Sequence, residues 1–226
     1  MSGPTWQEWF ENAWAVREEK IYRSLFGDIG SGIYPLGAEL FTGQFRQTAI
    51  DPRWLSHGVF ESMPSGSRAS WLYVSSGLSN AYEADSAQPD EVSGLGCEFI
   101  FECPSQSEWA LFLLRRLVAF QILLSVGRLE GRGRLEVWDR IPLLTPIDGK
   151  SSKLNWVFVV PAPNFSERQL LPSGQFHFLE FIGISEEEAE FARKNGGERL
   201  LTLLAQREAA PVTDPSRDTV LQKFER

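Results

Sequence analysis

The chain has 226 residues, enough for one large domain or two small ones and for a substantial core. Hydrophobic residues at 42% and charged residues at 23% exclude a disordered chain, and eight Trp with 16 Phe favour an aromatic interior. A formal net charge of −8 disfavours non-specific binding to nucleic-acid phosphate and instead favours encounter with a basic partner.

In chain order, "PTWQEWFENAWAVREEKIYRSLFG" starts with Pro and Thr and ends on Gly27, which predicts an amphipathic helix over residues 4–26. Trp6, Phe10, Trp14 or Ala13, Ile21 and Leu25 recur at helical spacing and are expected to face the core. "GIYPLGAELFTGQF" and "HGVFESMP" read as short strands joined by turns. "ASWLYVSS" is a stronger strand, with Trp71, Tyr73 and Ser75 on one face and Leu72, Val74 and Ser76 on the other. "NAYEADSAQPDEVSGLG" carries no apolar period and reads as a loop, after which "GCEFIFEC" resumes the sheet.

"SEWALFLLRRLVAFQILLSVG" is a second helix, capped by Ser105 or Ser107, stopped by Gly127 and apolar around most of its circumference, hence largely buried. "GRLEGRGRLEVWDRIPL" reads as paired short strands around a Gly-Arg-Gly turn. "SKLNWVFVVP" and "SGQFHFLEFIGI" are aromatic and β-branched strands. Ser185 and Glu188 form a capping box that opens a third helical region, which Asn195-Gly196-Gly197 interrupts. A polar tail follows from about residue 207 to 226. Helix, strands, buried helix, strands and helix predict a single α+β domain over residues 1–226, a mostly antiparallel mixed sheet covered by helices.

From Arg115 to Lys153 eight basic and four acidic residues give net +4, which leaves −12 on the remainder. Either the molecule has two faces of opposite sign or the charges are ordinary solvated surface. Cys97 and Cys103 bracket a strand pattern, and six strand residues span about 20 Å, so the two cannot pair. Without a disulfide framework or a recognisable leader, and with Arg115 and Arg116 interrupting the most apolar stretch, a cytoplasmic chain free of membrane is expected.

The search for chemistry starts at "SSGLSN". Gly77-Leu78-Ser79-Asn80-Ala81 is a partial nucleophile elbow, and Asp148 and His177 would complete a triad in chain order. An elbow must turn into a helix, and the residues after Ser79 have no helical period. "SSGLS" lacks the Lys of a phosphate loop, and "GRGR" lacks its strand and helix context. His57 and His177 read as structural, with no Cys or His pair at metal-ligand spacing. Glu98 and Glu102, four apart on a strand, stand roughly 13 Å apart at Cα and are poorly placed to cooperate. No catalytic set assembles, and no cofactor or metal is expected.

"WLYVSSGLS", "GLGCEFIFEC", "EWALFLLRRLVAF", "VGRLEGRGRLE" and "FHFLEFIGISEEEAEFAR", in that order, resemble the Suppressor of fused-like domain family over roughly residues 30 to 205. The matching marks are the strand ending in Ser-Ser-Gly-Leu-Ser, Gly96-Cys97-Glu98, the helix carrying Trp109, and Gly183-Ile184-Ser185 followed by Glu188. The chain departs from the family in having Pro104 five residues before Trp109, and Gly127-Arg128 or Gly131-Arg132 where the family has Gly-His. It also does not extend over the second domain of the animal proteins, which bind and restrain Gli transcription factors, so that partner is not carried over.

The resemblance implies a non-enzymatic protein-binding module. Single-domain bacterial members look like immunity proteins that bind and neutralise a cognate toxin of a polymorphic toxin system. The −8 charge suits a basic toxin such as a nuclease domain. The alternatives are a scaffold that takes a peptide by strand addition, or a serine hydrolase-like enzyme. The expected binding surface is the loop from Asn80 to Gly94, which carries Glu83, Asp85, Asp90 and Glu91 and no basic residue.

Overall fold

The strand residues with the strongest alternation become the centre of the molecule. The computed structural model describes residues 4–30, 32–84, 86–129, 131, 133–165 and 167–221. Its two longest strands are β4 (Val92–Cys103) and β8 (Gly174–Ile184). They lie side by side in parallel, with Phe99 opposite Leu179 and Phe101 opposite Phe181. The remaining strands are β1 (Tyr34–Pro35), β2 (Gly58–Ser62), β3 (Trp71–Ser76), β5 (Arg140–Pro142), β6 (Trp156–Pro161) and β7 (Gln169–Leu171). The order across the sheet is β1-β2-β3-β4-β8-β6-β5, with β7 also on β8, and every pair except β4–β8 is antiparallel. This is the mixed, mostly antiparallel α+β sheet that the element pattern predicts.

Both faces of the sheet are covered, so alternate residues of each central strand enter different cores. Phe99, Phe101, Leu179, Phe181, Val157 and Val159 point into the cluster under α3 (Glu108–Ser125). On the other face, Phe60, Leu72, Val74, Ile100 and Phe178 meet Tyr22 and Phe26 of the N-terminal helix. Beside them, Phe158, Val160, Ile182 and Ile184 meet α4 (Glu186–Asn195) and α5 (Gly197–Gln206). The predicted split of β3 holds, because Tyr73 packs in the α3 cluster while Leu72 and Val74 pack under the N-terminal helix.

The N-terminal helix runs as α1 (Trp6–Ala15), a π-helical segment (Val16–Tyr22) and α2 (Arg23–Phe26), with the Thr5–Glu8 capping box at its start and Gly27 at its end. Its buried face matches the expected one at Ala13, with Ile21 and Leu25 packed partly buried against the core, and differs elsewhere. Trp9, Ala13, Arg17, Tyr22 and Phe26 are buried, whereas Trp6 is 39% exposed and Phe10 and Trp14 are half-buried. The spacing of five between Arg17 and Tyr22 is the π turn. One inserted residue there carries the fully buried positions on to Tyr22 and Phe26, one step past the Ile21 and Leu25 of strict α spacing.

Two further expectations are corrected. In "GIYPLGAELFTGQF" only Tyr34–Pro35 is a strand, and Leu40–Gln44 is π-helical. That turn buries the consecutive Leu40 and Phe41 together, with Phe41 against Trp54, which alternation in a strand would forbid. In "GRLEGRGRLEVWDRIPL" only Arg140–Pro142 forms a strand among the described residues, and it pairs with β6. Leu135 N–H instead donates to the Gln121 side chain of α3 at 2.8 Å. The capping box Ser185–Glu188 and the break at Gly196 are as predicted, with α4 and α5 on either side.

The C-terminal segment is not a loose tail within the described residues. β4 and β8 part after Phe101 and Phe181, and Val212 bridges Glu102 in the gap. Thr213 N–H donates to Glu102 O at 2.8 Å, and Gly183 N–H donates to Thr213 Oγ1 at 2.9 Å. Arg217 then donates to both oxygens of the buried Glu188 at 2.8 Å and to Gly183 O. Burial alone raises the Glu188 carboxyl, but Arg217 and the N–H groups of Val220 and Ser185 hold it below its usual value. Replacing Arg217 with Ala strands a buried carboxylate and is expected to cost about 2 to 4 kcal/mol in urea unfolding. A loss under about 0.5 kcal/mol, the range of ordinary surface changes, contradicts this role for the strap.

Candidate functional site

The stretch Ser75-Ser76-Gly77-Leu78-Ser79 leaves β3 by wrapping around one buried carboxylate, Glu98 of β4. Glu98 Oε1 accepts from Gly77 N–H at 3.0 Å, Ser79 N–H at 2.9 Å and Ser79 Oγ at 2.7 Å, while Oε2 accepts from Ser75 Oγ. Gly77 has φ +126°, and a Cβ there would stand 2.7 Å from the His57 ring, so the chain passes under His57 only as glycine. His57 is buried with Nδ1 3.1 Å from Arg53 O, and burial lowers its pKa, which keeps the ring neutral at neutral pH.

The charge that answers Glu98 comes from the π segment. Arg17 is 1% exposed and donates to Asn80 Oδ1 at 2.6 Å and to Ser79 Oγ at 3.0 Å, with Glu98 Oε1 at 3.8 Å. Glu18 lies 3.4 Å from Arg17 and receives Ser76 Oγ at 2.5 Å. A buried ion pair is costly unless its remaining donors and acceptors are used, and Ser79 uses one of each by accepting from Arg17 while donating to Glu98, although Arg17 Nε is left without a partner. Ser79 is therefore a buried connector. Neither Asp148 nor His177 is among its hydrogen-bond partners: Asp148 accepts from Lys150 and Ser152 N–H in a turn, and His177 lies on β8 beside Cys97. The elbow reading is not what the geometry builds.

Glu98 and Glu102 indeed serve separate surroundings. Glu102 accepts from Ser70 Oγ, and burial raises its carboxyl while Ser70 and the Arg68 charge draw it down. Glu180 is 1% exposed and neither of its oxygens has a hydrogen-bond partner. Burial first, and then the Glu102 charge, push its carboxyl well above the usual range. Sequence reasoning missed Glu180 because "FLEFIGI" places one carboxylate in an ordinary strand alternation, where it reads as solvent-facing. The free thiols Cys97 and Cys103 are both buried, and burial pushes them up to about 12 and about 11.

Asn80, held by Arg17, begins the acidic loop. The loop ends at Glu91, earlier than the sequence suggests, because β4 starts at Val92. The aromatic stripe of α1 holds it from outside. Trp6 Nε1 donates to Ala84 O at 3.1 Å, and Phe10 packs on Tyr82 at 5.0 Å between centroids. Tyr82 OH receives Asn80 Nδ2 at 3.1 Å and also bonds the Ser56 hydroxyl. At the far end Asp90 N–H donates to Ser173 O and Gln175 N–H to Glu91 O, both at 3.2 Å.

A cleft of about 480 Å³ opens under this loop. Its apolar lining includes Trp54, Leu78, Leu95, Ile122 and Val126, and Arg134 stands on its rim. Among the expected acidic residues, Glu83 and Asp90 line the cleft, and exposed Glu91 follows Asp90 without lining it. Asp85 lies outside the described residues. Glu83 also pairs with Arg53 at 2.7 Å, and Arg53 is held in turn by Asp51. The loop thus has a basic neighbour that its own composition does not reveal. "DPRWLSHG" carried the available signal for this wall, since Asp51 and Pro52 open a 3₁₀ turn (Pro52–Ser56) that projects Arg53 and Trp54. Among the described residues no group of three or more His, Cys, Asp and Glu side chains could hold a metal ion, and no helix is long and apolar enough to cross a membrane.

A family model described as Suppressor of fused protein (SUFU) matches residues 56–218. Comparison with curated proteins yields no match. Among solved structures, Drosophila Suppressor of Fused is similar at 21% identity and a TM-score of 0.57, over 74% of this chain and 43% of that one. The present chain therefore spans less than half of the Drosophila protein. A chain of the Sufu–Fu complex is similar at 20% identity and a TM-score of 0.57, over 82% of this chain and 89% of that one. A SUFU homologue from Neisseria gonorrhoeae FA 1090 is similar at 14% identity and a TM-score of 0.56, over 96% and 99% of the two chains.

Proposed function

The chain belongs to the Suppressor of fused family, and from that premise we propose that it acts by binding a protein partner in the cleft under the Asn80–Glu91 loop, as an immunity protein that neutralises a cognate bacterial toxin. The observation that carries this reading is the construction of the cleft. An apolar floor lies beneath a rim of mixed charge, Glu83 and Asp90 with Arg53 and Arg134, and the loop that carries its carboxylates is tied down at both ends and seated on the buried Arg17–Glu98 pair. A fixed loop loses little conformational freedom on binding, which favours a loop that recognises over one that only connects. That a solved relative comes from a complex with another protein supports protein binding as the mode. The net charge of −8 favours a basic toxin, for which a nuclease domain is the natural candidate.

Strand addition at a sheet edge is the weaker reading. The end strands β1 and β5 offer only two and three residues, too few for a row of main-chain hydrogen bonds to a peptide.

The test is co-expression with the toxin encoded beside this chain. Survival of the host and a one-to-one complex are expected, whereas killing without complex formation removes the immunity reading. Reversal of Glu83, Asp85, Asp90 and Glu91 to Lys is expected to slow association at low salt by about tenfold or more and to flatten its salt dependence. An unchanged association rate excludes the acidic loop from the interface.

A further inference from the structure

We propose that the exposed N-terminal half of α3 joins two copies of this chain across a two-fold axis that passes beside Phe112. Phe112 is 44% exposed, and next to it lies a shallow hollow of about 450 Å³ lined by Glu108, Trp109, Leu111, Phe112 and Arg115. Glu108, Phe112 and Arg116 are spaced by four, so they share one face of the helix, and the Arg116 guanidinium lies 5.9 Å from the Phe112 ring centroid. Neither Glu108 nor Arg116 belongs to an ion pair among the described residues. Arg115, by contrast, is engaged at home through Pro35 O at 2.6 Å.

This patch is complementary to itself. When two copies of α3 run antiparallel with Phe112 at the axis, residue 108 of each copy faces residue 116 of the other. Both unpaired charges then find a partner, twice by symmetry, and each Phe112 ring enters the hollow of the opposite copy. Such an isologous contact closes on itself and stops at the dimer. A foreign partner would have to supply both signs at the same spacing, whereas a second copy supplies them without further assumption. The contact covers about two helical turns on each side, well short of an obligate dimer interface, so a dissociation constant on the order of 10 to 100 μM is expected. The cleft takes Ile122, Ser125 and Val126 from the opposite end of α3, so dimer formation leaves that end of the helix free.

The experiment is sedimentation velocity of the full chain from low micromolar to near millimolar concentration, with far-UV circular dichroism to confirm that each variant is folded. A concentration-dependent dimer is expected. Glu108→Arg and Arg116→Glu each place like charges opposite one another at two symmetric points and should weaken it by roughly tenfold or more. The double variant Glu108→Arg/Arg116→Glu restores the pairing and should return within about threefold of the original constant. A chain that stays monomeric throughout overturns the proposal. So does a dimer indifferent to the single reversals, or one that the double reversal does not rescue.

Discussion

Replacing Glu98 with Ala is expected to lower the stability of this protein by about 3 to 5 kcal/mol, a large share of the 5 to 15 kcal/mol that holds a typical domain folded. The magnitude follows from what the carboxylate answers. Its removal leaves Arg17 buried without its deep counter-charge and takes the acceptor from Gly77 N–H, Ser79 N–H and the hydroxyls of Ser75 and Ser79. Removing Arg17 instead should cost less. In Arg17→Met the stem is kept, and Glu98 retains every one of those donors, so about 2 to 3 kcal/mol is expected. Urea unfolding of the two variants measures both values. A greater loss in Arg17→Met than in Glu98→Ala contradicts the view that Glu98 organises the exit of β3.

Replacing Glu180 with Leu is expected to do the opposite and stabilise the protein at neutral pH by about 1 to 3 kcal/mol, or about 2 to 10 °C in Tm. Glu180 lies in the sheet with both oxygens unpartnered and a second buried carboxylate, Glu102, acting on it. An apolar side chain of similar size removes that cost. The pH dependence carries a definite sign. Because burial raises the folded carboxyl above its unfolded value, the native state binds the proton more tightly, and this group's contribution to stability falls as pH rises out of the ordinary carboxylate range. The advantage of Glu180→Leu over the original chain should therefore be small near pH 4 and grow towards neutral pH. A variant that is less stable at pH 7, or whose advantage shrinks as pH rises, removes Glu180 as a source of native-state cost.

The parts of the fold that the sequence announces are those where one face is apolar and the period is regular. α3 is apolar round most of its circumference and lies largely buried, β3 and β8 alternate, and Ser185 with Glu188 opens α4 where the capping box says it must. The errors fall where a local rule is overridden. The fully buried stripe of the N-terminal helix runs through Trp9, Ala13, Arg17, Tyr22 and Phe26, stepped by the π turn between Arg17 and Tyr22, while Trp6 and Phe10 hold the acidic loop. Arg17 looks like a surface residue within "AVREEK", and its burial depends on Glu98, 81 positions away. The loop was visible from its lack of period. The cleft beneath it was not, because its walls come from Trp54, Leu78, Leu95 and Ile122, which only the three-dimensional fold brings together.

Amide hydrogen exchange of the chain alone and in complex with its proposed toxin partner tests the central claim most directly. Binding in the cleft predicts slowed exchange over residues 77–95, with a smaller effect at the C-terminal end of α3 around residues 122–126. A complex that leaves residues 77–95 exchanging as in the free chain places the partner elsewhere and contradicts the account.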